Sequence, residues 1–126
     1  MKYLGVDYGK KKIGLAYSEG ELSEPWRVIE ISGLKDAVLK ISRILRDENV
    51  MVLVIGMPES GEARSMAENF RREIRKLSEV LLVEMEETLS SQMANQRVRD
   101  LGVAKSREDA IAASLILQNY LDSLKS

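Results

Sequence analysis

The 126 residues contain no cysteine and no histidine. The first absence rules out disulfide staples, thiol catalysis and cysteine-based zinc sites. The second rules out a Ser-His-Asp triad, imidazole metal ligation and histidine general-base chemistry. Any catalysis must therefore rest on carboxylates, lysine, tyrosine or a bound metal. Aromatic side chains are few, with one Trp, one Phe and four Tyr, and they form no visible stacking platform for bases. No stretch approaches the roughly 20 apolar residues of a membrane span, so no membrane partner and a cytoplasmic location are expected. Charge of neither sign dominates: 19 Lys and Arg stand against 20 Asp and Glu, for a formal net charge of −1. A nucleic-acid surface would have to be a local patch.

Apolar residues make up 44% and charged residues 31% of the chain, as in a folded globular protein, and the length suits one domain, expected over 1–126. The runs "YLGVDY" and "IGLAYS" flank "GKKK" and read as a β-hairpin, and "PWRVIEI" reads as a third strand. Leu34, Ala37, Val38, Ile41, Ile44 and Leu45 then fall on one helical face. "VMVLVIGMP" reads as a strand buried on both faces. A second helical stripe comprises Ala63, Met66, Ala67, Phe70, Ile74 and Leu77, and "VLLVEM" is another buried-strand candidate. "LSSQMANQRVRDLG" has a helical pattern with Ser90 or Ser91 as N-cap and Gly102 as stop. The last helix, "REDAIAASLILQNYLDSL", begins near Ser106. Trp26 and Phe70 have apolar neighbours and are expected in the core. This order predicts an α/β fold with a mixed sheet flanked by helices, in which strand one and the strands ending at Gly56 and Met85 run parallel. Ligands of open α/β sheets usually bind at the carboxyl edge of such strands.

Three groups of acids would meet at that edge. Asp7 sits at the exit of an expected central strand, where a charge is costly to bury without partners; it is equally suited to capping the turn before Gly9. Glu86 and Glu87 follow "VLLVEM" and, taken alone, read as solvated surface. Asp109 opens "DAIAAS" and would also complement a helix dipole, while Ala110, Ala112 and Ala113 would let that helix approach the sheet closely. Together these acids form an oxygen-only cluster suited to Mg²⁺ or Mn²⁺. Two such ions can activate a water and stabilise the leaving oxygen of a phosphodiester displacement without histidine. Lys10, Lys11 and Lys12, in the turn after Asp7, could hold phosphates or simply solubilise a hairpin tip. The charges between Glu62 and Lys76 are of both signs and read as a solvated mixed-charge helix face.

These residues resemble the YqgF/RuvX group of small RNase H-like proteins, to which Holliday junction resolution or pre-16S rRNA cleavage is attributed. "YLGVDYGKKKIGLAYSEG" resembles the group's opening Gly-x-Asp-x-Gly turn and following strand, "VIGMPESGE" is similar to its Gly-x-Pro loop, "EETLSSQMAN" occupies the place of its Asp-Glu-Arg-x-Thr-Thr segment, and "REDAIAASLILQNYL" looks like its closing Asp-Ala-x-Ala-Ala helix. The resemblance implies a three-layer RNase H-like fold. Its five-stranded mixed sheet would have the first three strands antiparallel and the last two parallel to strand one. Asp7 would be the first metal ligand, Glu86 or Glu87 the second and Asp109 the third. The chain departs from the pattern at Lys12 and Thr88, where the group commonly has Arg, at Glu86, which replaces Asp, and at Ser90 and Ser91, which replace Thr. Loss of an Arg removes a bidentate phosphate donor.

The expected activity is metal-dependent endonucleolytic cleavage of structured nucleic acid, with Asp7, Glu87 and Asp109 catalytic and Lys10, Lys11 and Lys12 on the backbone; the resemblance favours 5′ maturation of precursor 16S rRNA as its context, with Holliday junction resolution in DNA as the alternative. The expected assembly is a monomer or weak homodimer. Two rivals follow from the same residues. One is an ATPase of the actin and sugar-kinase type, whose phosphate-binding hairpin "DYGKKKIGLA" also resembles, although such enzymes normally need two related domains. The other is a non-catalytic RNA- or ribosome-binding module.

Overall fold

The computed structural model describes residues 1–87 and 105–125. Strands β1 (Tyr3–Tyr8) and β2 (Lys12–Ser18) form the expected hairpin, with Asp7 opposite Gly14 and Tyr8 opposite Ile13. Strand β3 (Glu24–Glu30) continues antiparallel beside β2, with a register shift at Leu15/Ala16. Helix α1 (Leu34–Asp47) then carries the chain to β4 (Val52–Met57), which runs parallel to β1, and helix α2 (Gly61–Leu77) carries it to β5 (Leu81–Glu86), parallel to β4. Helix α3 (Lys105–Ser123) follows. The sheet order is β3-β2-β1-β4-β5, the expected mixed arrangement. The helix predicted from "LSSQMANQRVRDLG", its caps and Thr88 lie outside the described residues.

Alternation along each strand divides the core into two layers. Leu4, Val6, Ile13, Leu15, Leu53, Ile55 and Met57 point toward α1 and α2, where they meet Ile41, Phe70 and Ile74. Ala16, Val52 and Val54 point the other way, toward Ala113, Ile116, Leu117 and Leu121 of α3. Strand β4 is buried at every position, as its unbroken apolar run requires. Phe70 is fully buried, with its ring 4.8 Å from that of Tyr8.

Four expectations need correction. "VLLVEM" is not a buried strand: β5 lies at the sheet edge, none of its residues is fully buried, and Leu81 is 56% exposed. An edge strand has a neighbour on one side only, so Glu84 can reach out to Arg71 of α2 at 2.6 Å. Ala63 and Leu77 of the second helical stripe are exposed, because they occupy the terminal turns of α2, beyond the span of the sheet it covers. Leu34, first residue of α1, is likewise on the margin of its stripe. Trp26 is only partly buried; it packs on the core from β3 with Tyr17 edge-on and the Arg27 guanidinium 4.3 Å from its ring centre.

Small residues bring α3 down onto the sheet. A Cβ on Gly5 would lie 2.8 Å from Leu117 Cβ and 2.9 Å from the Ala113 carbonyl oxygen, and one on Gly14 would collide with the Asp109 carbonyl. Ala110, Ala112 and Ala113 are buried on the helix side, as their sequence pattern suggests. Neither the Leu117 Cβ nor the Ala113 carbonyl can rotate away from Gly5, since both are fixed by the helix backbone. Gly5→Ala should therefore cost about 1–3 kcal/mol of stability, read as a lower urea midpoint at unchanged m-value.

Candidate active site

The carboxyl ends of β1 and β5 and the start of α3 meet on the α3 side of the sheet. Strand parity decides which side chains arrive there. Tyr8 points into the α1/α2 core, so its neighbour Asp7 points toward α3, two residues after Gly5 on the same face. Gly14 lies directly across the β1–β2 ladder from Asp7, and its missing side chain leaves room for the Asp109 backbone. Glu87 follows β5 immediately and donates its backbone N–H to the Met57 carbonyl at 3.0 Å, so β4 anchors it.

The electrostatics join these three acids. Residue Asp7 retains some exposed surface, yet the surrounding protein strips its carboxyl of water. Burial, then the Glu87 charge, then the Asp109 charge push its pKa up to about 7. Burial also raises Glu87 above the usual carboxylate range. Among the described residues Asp7 has no ion pair to offset this cost. The acids share a field without being gathered: no group of three among the described residues is close enough to hold one ion. Their chemistry nevertheless suits a hard divalent cation, since the donors are all carboxylate oxygens and the innermost lacks a counter-charge.

Glu86 goes elsewhere. Its two carboxylate oxygens receive hydrogen bonds from the Arg64 guanidinium at 2.8 and 3.0 Å, and this holds its pKa below the usual range. Arg64 also donates to the Pro58 carbonyl at 2.9 Å, so one guanidinium ties the end of β5 to the loop after β4. The sequence reading missed this brace by assigning α2 a solvated charged face. Strand parity was the available signal, because Glu84 and Glu86 share one face of β5 and meet Arg71 and Arg64 of the same helix.

The lysines divide as well. Lys12 reaches the site, with Nζ 3.7 Å from Asp109 Oδ2. Lys10 lies 3.9 Å from Glu62 of α2, with both side chains 76% exposed. Lys10, Lys11 and Lys12 together border a cleft of about 650 Å³ whose other wall is Glu30, Ile31 and Ser32.

The raised Asp7 pKa has a consequence for stability. Between pH 3.8, the ordinary value, and about 7, the folded protein binds a proton that the unfolded chain has released. The stabilisation is complete below the ordinary pKa and is lost as pH rises through about 7, with a ceiling of about 4 kcal/mol. In metal-free buffer, the stability difference between Asp7→Asn and wild type should shift toward the variant from pH 4 to pH 8. Urea titrations with EDTA at both pH values read this difference.

A family model described as "RuvX: Holliday junction resolvase" matches residues 1–123. A Chloroflexus aggregans protein named "Putative pre-16S rRNA nuclease" is 37% identical over 134 residues, covering 98% of this chain and 94% of its own length. A Chlamydia pneumoniae protein of the same name is 35% identical, covering 97% and 90%. Among solved structures, Thermus thermophilus RuvC in complex with Holliday junction substrate aligns with a TM-score of 0.68 at 13% identity, covering 100% of this chain and 97% of that one. The fowlpox virus Holliday junction resolvase aligns with a TM-score of 0.64 at 18% identity, covering 98% and 99%. At these identities the structural likeness establishes the fold, which is RNase H-like. Among the described residues no helix is long and apolar enough to cross a membrane. With the family match spanning residues 1–123 and relatives above 30% identity over nearly the whole chain, the chain belongs to the RuvX family.

Proposed function

We propose that this protein is a metal-dependent endonuclease that hydrolyses phosphodiester bonds in structured nucleic acid, with precursor 16S rRNA as its substrate. The observation that carries the reading is the Asp7 carboxyl, buried at the carboxyl edge of β1 under the fields of Glu87 and Asp109 and without a counter-charge among the described residues. A site that only stabilised the fold would gain by replacing Asp7 with an uncharged residue. Keeping the acid makes physical sense where a cation is to be bound.

In this reading Asp7, Glu87 and Asp109 hold two Mg²⁺ or Mn²⁺ ions between them. When bound, such ions lower the pKa of water and stabilise charge on the leaving oxygen. Asp7 supplies oxygens from the end of β1 and Glu87 from the end of β5, on either side of β4, while Asp109 supplies one from α3. Lys10, Lys11 and Lys12 attract and orient the phosphate backbone at the mouth of the site. Glu86 is the alternative second ligand; its bidentate pairing with Arg64 favours Glu87 for that role. The names of the relatives favour precursor rRNA as substrate, whereas the family description favours a DNA junction.

A cleavage panel separates these substrates: a precursor 16S rRNA fragment, a four-way DNA junction and single strands, each with Mn²⁺, Mg²⁺ or EDTA. Cleavage of the rRNA fragment should require the metal and fall by at least about 100-fold in Asp7→Asn. Glu87→Gln should lose more activity than Glu86→Gln. Cutting confined to the junction would move the substrate to DNA. Metal-dependent cleavage surviving in Asp7→Asn would end the proposed mechanism, and RNA binding without any cleavage would make the protein a binding module.

A further inference from the structure

The three acids need compensation while no divalent cation is bound. The cation that reaches them among the described residues is Lys12, whose Nζ lies 3.7 Å from Asp109 Oδ2. No other lysine or arginine among the described residues forms an ion pair with Asp7, Glu87 or Asp109.

The backbone under this contact is tightly set. Lys12 and Gly14 are two apart on β2 and share the face toward α3. Gly14 is the point where the Asp109 carbonyl presses on the strand, leaving no space for a Cβ. The two residues are therefore fixed relative to each other through their main chains, and the Lys12 stem supplies the flexibility. The contact itself is loose. At 3.7 Å it exceeds the 2.7–2.9 Å typical of a strong charge-assisted hydrogen bond. Its partners are also partly open to water, with side-chain exposures of 45% for Lys12 and 33% for Asp109. A mobile ammonium held this way is a weak competitor for a carboxylate that a divalent cation can also bind.

We propose that Lys12 is the resident counter-cation of the acid cluster in the metal-free protein, that a divalent cation displaces it from Asp109, and that the released ammonium then serves the nucleic-acid phosphate. The inference rests on the metal-dependent reading above and assigns Lys12 a role distinct from those of Lys10 and Lys11. Lys12 thus affects metal affinity and catalysis with opposite signs. A lysine that merely decorates the surface would affect neither, and one that only binds nucleic acid would leave the metal alone.

Calorimetric titration of the nucleic-acid-free protein with Mn²⁺ tests the first half. Lys12→Met and Lys12→Gln should each bind Mn²⁺ more tightly than wild type by about 1.5- to 5-fold, the range expected for losing one partly exposed ion pair. Lys10→Met, whose lysine faces Glu62, should bind it as wild type does. At saturating Mn²⁺ both Lys12 variants should nevertheless cleave more slowly than wild type, and Lys12→Arg should recover the rate. Unchanged or weaker Mn²⁺ binding in both Lys12 variants would overturn the counter-cation role. Undiminished cleavage by them at saturating Mn²⁺ would overturn the phosphate role. Asp7→Asn is titrated alongside: if it binds Mn²⁺ as well as wild type, the metal site itself is misassigned and the Lys12 proposal falls with it.

Discussion

The contact between α3 and the sheet governs the geometry of this molecule. Gly5 and Gly14 on the strands, facing Ala113, Leu117 and Asp109 on the helix, bring main chain almost against main chain. A side chain at either glycine would lift α3 and carry Asp109 away from Asp7. The same contact closes the second half of the core, where Ala16 and Val54 meet Ala113 and Leu117. Packing on the inner face of α3 and the placement of an acid at its beginning are thus one structural fact. The layer formed by α1 and α2 on the opposite face serves a different end: it holds β1 and β4 rigid through Phe70, Ile74 and Ile41, so that Asp7 leaves a strand with little freedom to adjust.

Against this rigid frame the acids divide by strand parity. Glu86 and Glu87 are neighbours in the chain with opposite fates: one is neutralised by the Arg64 fork on the α2 side, and the other is half-desolvated on the side of Asp7. The Arg64 brace also touches the Pro58 carbonyl, so one side chain ties the loop after β4 to the end of β5. The energetic asymmetry is large, because a paired exposed carboxylate costs little while an unpaired buried one costs several kcal/mol. The cost concentrates on Asp7, at the carboxyl edge of the sheet, the usual ligand-binding edge of α/β folds.

Much of this was legible in the residues. The unbroken run of β4, the hairpin around "GKKK" and the apolar spacing in α1 each follow from one local pattern with a single stable use. Asp7 and Asp109 stood out because an acid at a strand exit and an acid before an alanine-rich helix both invite explanation. Less was legible where the outcome depended on neighbours. "VLLVEM" is as apolar as many central strands, yet it forms an edge, since strand order is set by how the whole sheet assembles. The exposure of Leu77 and the incomplete burial of Trp26 have the same origin: periodicity reports which face of an element is apolar, whereas burial depends on where the opposing layer ends.

The sequence by itself determined the chemistry available to the protein. Lacking cysteine and histidine, it left carboxylates and lysines as the reactive groups, and its motifs indicated which acids to watch. Tertiary structure alone decided their states. Burial between β1 and α3 raises the Asp7 pKa, Arg64 takes Glu86 out of the cluster, and Lys12 rather than Lys10 faces Asp109. Each of these outcomes depends on a distance between residues remote in the chain, and electrostatic energy varies with that distance and with the local exclusion of water, neither of which a linear pattern encodes.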